Sequence, residues 1–207
     1  MSLPSRLLGA NPSIQVSTLL SGSLSTPSAK QAFVPPTNFE SIASFTASSS
    51  FTVETFTSIP QNYVSLQLRI LSRRSNGVGH VIGLNFNGDQ TSNYWFHNLQ
   101  GIGTTNQINV NSSASARINA FVGHTNTNLS NQFGAGIIDI HDYASSTKKT
   151  TIRCFGGCDT NASGGGMVSI TSGVWNVTDA ITSIRVDALG DTMVAGTTFA
   201  LYGIKGA

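Results

Sequence analysis

Side chains able to do chemistry are few and scattered in this 207-residue chain. Asp, Glu, Lys and Arg together make up 10% of it, against roughly 25% in an average soluble protein. The carboxylates are Glu40, Glu54 and seven Asp. "Asp139-Ile-His141-Asp142" has the composition of a metal cluster. On a strand, however, Asp139 and His141 point to one face and Asp142 to the other, which suits a polar strand end better than a ligand set. Glycoside hydrolysis needs two facing carboxyl groups, and Asp139 with Asp142 is the pair most able to supply them. "Asn85-Phe-Asn87-Gly-Asp89" places oxygens at alternate positions as a calcium loop does. It lacks the later bidentate Glu, and predicts a hairpin turn at Asn87-Gly88 instead. His80, His97, His124 and His141 are far apart. There is no Gly-x-Ser-x-Gly elbow and no His-Glu-x-x-His, and "SGGGM" lacks the Lys-Ser/Thr of a phosphate loop. The expectation is a protein that is not an enzyme and holds no cofactor or metal.

Two further groups invite a binding role. "Cys154-Phe-Gly-Gly-Cys158" reads as two cysteines bracketing a short loop. Free thiols are expected in a cytosolic product, with a disulfide at a hairpin tip as the alternative, and zinc would need about two more ligands. In "Tyr94-Trp95-Phe96" the outer two share a core face and Trp95 points outward. A lone outward Trp serves either as a stacking platform for a sugar or as a subunit contact.

Charge and hydropathy exclude other classes. The net charge is +2, and only Arg73-Arg74 and Lys148-Lys149 are adjacent basic residues, so no nucleic-acid partner is expected. The opening residues lack the apolar core of a signal peptide, and no stretch approaches 18 apolar residues, so no membrane span is expected either.

These residues must be positioned by strands. Residues 1–40 stand apart: Arg6 and Lys30 are the charges before Glu40, Pro recurs at 4, 12, 27, 35 and 36, and no period is sustained. Small apolar anchors punctuate the segment, notably Leu7, Leu8, Leu19, Leu20 and Phe33, which predicts an extended N-terminal arm laid across a partner. Residues 41–207 read as strands throughout. "YVSLQLRIL" (63–71) sets Val64, Leu66, Leu68 and Ile70 against Tyr63, Ser65, Gln67 and Arg69. Turn signals follow at 75–77, 87–89, 106–113, 126–132 and 164–166. Eight to ten short strands with such breaks predict an all-β, antiparallel, jelly-roll-like sandwich. Thr178-Asp179-Ala180 is the one stretch suited to a helical turn.

The final strand, 197–204, is apolar on both faces. Phe199 and Leu201 share one; Ala200, Tyr202 and Ile204 share the other. A strand covered on one side only would be polar at alternate positions, so a symmetry mate or the arm is expected to cover the Ala200–Tyr202–Ile204 face, which is taken as an oligomer interface.

"FTSIPQNYVSLQLRI" (56–70), "LNFNGDQTSNY" (84–94), "IIDIHDYAS" (137–145), "GVWNVTDAITSIRV" (173–186) and "GTTFALYGIKG" (196–206) occur in that order. Over residues 50–207 the chain resembles a family of tailed-bacteriophage virion proteins whose jelly-roll domain ends in Gly-Thr-x-Phe-x-Leu-Tyr-Gly-Ile. The resemblance implies a capsid decoration (cement) protein, assembled in the host bacterial cytoplasm and carried on the virion. It implies a homotrimer and contacts to the major capsid protein or other virion proteins. The alternative within the same family is a tail, head-fibre or baseplate module that binds a host surface glycan, with Trp95 as a contact.

Overall fold

In β3 (Ser65–Ser72) alternation of residue type becomes alternation of burial: Leu66, Leu68 and Ile70 face inward, Gln67 and Arg69 outward. Val64, expected on the apolar face, lies just before the strand and is exposed. The computed structural model describes residues 38–75, 81–110, 114–122, 131–159 and 166–206, within the compact unit Thr37–Ala207. The arm anchors Leu7, Leu8, Leu19, Leu20 and Phe33 lie outside the described residues.

The remaining strands are β1 (Phe39–Thr46), β2 (Val53–Phe56), β4 (Val81–Phe86), β5 (Tyr94–Ile102), β6 (Thr105–Val110), β7 (Ile118–Phe121), β8 (Gly134–His141), β9 (Thr150–Cys158), β10 (Met167–Trp175), β11 (Ile184–Asp187) and β12 (Thr198–Ile204). β1 therefore starts inside the stretch read from sequence as arm. The described residues contain no helix, and Thr178-Asp179-Ala180 is irregular rather than a helical turn.

The large sheet runs β1-β12-β3-β8-β9-β10-β5-β6 and the small one β2-β11-β4-β7, with every pairing antiparallel. Four pairings nest one inside the next: β1 with β12, β2 with β11, β3 with β8, and β4 with β7. Successive pairs fall alternately in the two sheets, which is the wiring of a jelly roll. The fold is thus an all-β sandwich, as the strand pattern predicted. Two hairpin segments are added to it. β5–β6 follows β4, β9–β10 follows β8, and together they extend the large sheet beyond β8. β6 lies where the Asn-rich run 106–113 signals a turn, its residues being largely Asn, Gln and Thr. It pairs with β5 across a two-residue turn, Gly103-Thr104.

The core lies between the sheets. Leu66, Leu68, Ile138, Ile140, Phe199 and Leu201 from the large sheet meet Ile82, Leu84, Phe86, Ile118, Ile184 and Val186 from the small one. Burying each such side chain contributes about 1.5–3 kcal/mol. Phe199 is further enclosed by the rings of Phe45 and Phe51, each centred 6.0 Å away. Val122, just after β7, presses on the large sheet where Gly136 and Gly156 face it. A Cβ on either would lie 2.2 or 2.5 Å from the valine Cγ1, so only glycine leaves that space.

Candidate functional site: the outer face of the large sheet

β8, β9, β10, β5 and β6 pair in succession, and their register carries one line of side chains across five strands. Ile137 stands opposite Phe155, Phe155 opposite Ile170, Ile170 opposite Leu99, and Leu99 opposite Ile108. Side chains alternate along a strand, so when Ile138, Cys154 and Thr171 turn into the sandwich their neighbours must turn out. The row is correspondingly wet: Ile137 is 42% exposed, Phe155 57%, Ile170 50%, Leu99 54% and Ile108 75%. Val168, in the next row on β10, is 53% exposed. It stands between Gly101 and Gly157, and a hollow opens on either side of it. One hollow, lined by Leu99, Gly101, Asn106, Phe155, Val168 and Ile170, has a volume of about 380 Å³. The other, against Ala135, Ile137, Phe155, Gly157 and Val168, measures about 470 Å³. None of these row residues carries a charge. Such a surface excludes water from another apolar surface.

Toward β12 the same face changes character. The Arg69 guanidinium lies 4.8 Å from the Tyr202 ring centre and 5.5 Å from that of Phe39. Its Nε donates to Gln67 Oε1 at 2.9 Å, Gln67 Nε2 donates to Asp139 Oδ1 at 2.9 Å, and Arg153 donates to Asp139 Oδ2 at 3.0 Å. Burial alone would raise the Asp139 carboxyl, but hydrogen bonds from Gln67 and Arg153 hold it below the ordinary range. Ala200, Tyr202 and Ile204, expected at an interface, are on this outer face and half-buried, with Phe199 and Leu201 turned into the core.

Trp95 also faces outward, half-buried, with Tyr94 and Phe96 inside. It stands opposite Val174, five strand spacings from β12 in the sheet order β12-β3-β8-β9-β10-β5. At about 4.8 Å per strand spacing, the structure does not bring Trp95 and Tyr202 together.

The groups that resembled catalytic or metal centres are engaged by protein partners. Asp139 is held as above, while Asp142 ion-pairs with Lys148 at 3.1 Å, so the two carboxylates serve different cations. Buried Asp187 receives Arg117 at 3.1 Å and also Arg185. Arg74 meets Asp191 at 3.2 Å. Among the described residues no three His, Cys, Asp or Glu group as a metal would require. His80 and His124 lie outside those residues. Asn87 and Gly88 do form a turn, with φ of 51° and 73° and an Asp89 N–H to Phe86 carbonyl bond of 2.8 Å. It is a corner between sheets, not a hairpin, because β4 and β5 belong to different sheets.

The cysteines do not bracket a loop. Both lie on β9, four residues apart, with Cys154 buried and no disulfide between them. Four residues of strand span about 13 Å, too far for a disulfide. Burial pushes the Cys154 thiol up to about 12 and the Cys158 thiol up to about 11, away from reactive thiolate.

The apolar row was missed in the sequence although its signal is the one noticed in the last strand. "GIIDI", "TIRCF" and "MVSIT" are also apolar at neighbouring positions, so both faces of β8, β9 and β10 need cover. No protein-family model matches the chain, and no curated protein or solved structure matches it either.

Proposed function

We propose that this chain is a structural subunit of a tailed-bacteriophage particle, most specifically a capsid decoration (cement) protein. The observation that carries the reading is the exposed apolar row Ile137–Phe155–Ile170–Leu99–Ile108, a surface suited to assembly contacts. The segments ending in Gly196–Ile204 support it by their resemblance to virion jelly rolls, and low charge supports it because few ions need desolvating when subunits meet. In this role the sandwich sits on the shell. Leu7, Leu8, Leu19, Leu20 and Phe33 anchor the arm to the major capsid protein or another virion protein. A fibre or baseplate module holding a host glycan through Trp95 is less well supported. Sugar binding wants an exposed ring flanked by hydrogen-bonding groups. Here the most exposed aromatic ring of the outer face, Phe155, has Ile137 and Ile170 beside it, and Trp95 is half-buried against Val174.

Quantitative mass spectrometry of gradient-purified particles from the virus encoding the chain tests the proposal. Hundreds of copies per particle are expected. A few dozen would move the protein to the tail or fibre, and its absence from particles would end the virion reading.

A further inference from the structure

We infer that the apolar row is the seat of a second copy of this chain, packed face to face about a two-fold axis running along β10. The inference rests on the row itself and stands whether or not the chain belongs to a virion.

The amount of surface argues for a full interface. Six large side chains exposed by 42–75% amount to roughly 600 Å² of contiguous apolar area, the upper limit of what monomers leave in water. It is most of the ~800 Å² that each partner contributes to a standard interface. The broad face of a sheet meets one other such face over most of its area, whereas three such faces around an axis touch only along their margins. A pair therefore covers the row better than a trimer does.

Charge makes an identical face an acceptable partner. The row is neutral, and two of the charges beside it are matched on their own subunit: Arg153 with Asp139, and Arg69 between two rings; Asp159 stands at the far end of the hollow beyond Val168. A second copy brings no unpaired like charge against them.

The register then selects the orientation. The row has one residue on each of five strands, so its centre is Ile170 on β10. An axis along β10 sets Ile170 on its own copy, Phe155 against Leu99, Ile137 against Ile108, and Val168 on its own copy. All six apolar residues then meet apolar residues. An axis along the row would instead lay Val168 over Ser172, the residue equally far from Ile170 on the other side. The same axis lays Gly101 of one copy over Gly157 of the other, so the paired Val168 side chains are flanked by residues without side chains.

Sedimentation equilibrium of the full chain at concentrations up to about 100 μM is the primary test, since interfaces of this size hold at micromolar levels or better. Wild type should be a dimer. Ile170→Asp puts two carboxylates at the axis and should weaken pairing by more than about 100-fold, with an unchanged circular dichroism spectrum because Ile170 already faces water. Tyr202→Asp, outside the row, should leave the dimer intact. As a check independent of the aspartate variant, Phe155→Cys chains mixed with Leu99→Cys chains should cross-link to each other with a short bis-maleimide. A monomeric wild type overturns the inference and hands the face to another occupant, residues 1–37 or a foreign protein. So does a trimer, an oligomer indifferent to Ile170→Asp, or a failure of the mixed chains to cross-link. None of these results bears on particle copy number, so the two proposals fail separately.

Discussion

Trp175 and Asp89, 86 residues apart in sequence, meet through an indole hydrogen bond of 2.8 Å. The carboxylate also accepts from the Thr91 backbone and hydroxyl at 2.9 and 2.6 Å and from Asn93 at 2.9 Å. The Asp89 carbonyl accepts from Tyr94 Oη at 2.9 Å, and the Tyr94 and Trp175 rings stack with centroids 6.5 Å apart. One acidic residue thus ties the corner after β4 to the start of β5 and the end of β10.

Burial by itself would raise the Asp89 carboxyl, yet donors from Thr91, Trp175 and Asn93 bring it down to about 2. A depressed folded pKa contributes stability that is complete above the unfolded value near 4 and is lost as pH falls from there toward 2. For this partly exposed group the contribution is about 1–2 kcal/mol after solvent screening. Urea unfolding of wild type and Asp89→Asn should differ by that amount at pH 6 and converge near pH 2. Parallel curves would mean that the titration of Asp89 is not coupled to folding.

The contact between Val122 and Gly136 should behave as a coupled pair. Gly136→Ala places a methyl 2.2 Å from the valine Cγ1 and should cost about 1–3 kcal/mol by overpacking. Adding Val122→Ala should recover part of that loss, because the second change opens the space that the first one fills. A double-mutant cycle measures the coupling, and purely additive losses would refute the contact.

Phe199 and Tyr202 should divide folding from surface character within a single strand. Phe199→Ala removes a buried ring from the Phe45–Phe51 cluster and should cost about 3–5 kcal/mol in denaturant unfolding. Tyr202→Ala removes a half-buried ring beside Arg69 and should cost only about 1 kcal/mol. Equal losses would show that the outer side of β12 contributes as much to the fold as the core side.

Local patterning, by itself, determined which way many side chains turn. The alternation in 65–71 and 197–204 put Leu66, Leu68, Phe199 and Leu201 inside, and Trp95 turned out where Tyr94 and Phe96 turned in. A period of two follows from strand geometry alone and needs no partner. Asn87-Gly88 likewise announced a turn, since those residues tolerate positive φ, but not that the chain would change sheets there. β6 escaped because its polar residues sit at a sheet edge, where pairing with β5 supplies the order that hydrophobicity does not. Only tertiary structure decided the row on the outer face. Its members come from five strands, and the register that aligns Ile137, Phe155, Ile170, Leu99 and Ile108 is set by how two inserted hairpins dock beside β8. Shifting any one of those pairings by a single residue would turn that strand's apolar member to the opposite face, so no local window of sequence contains the row.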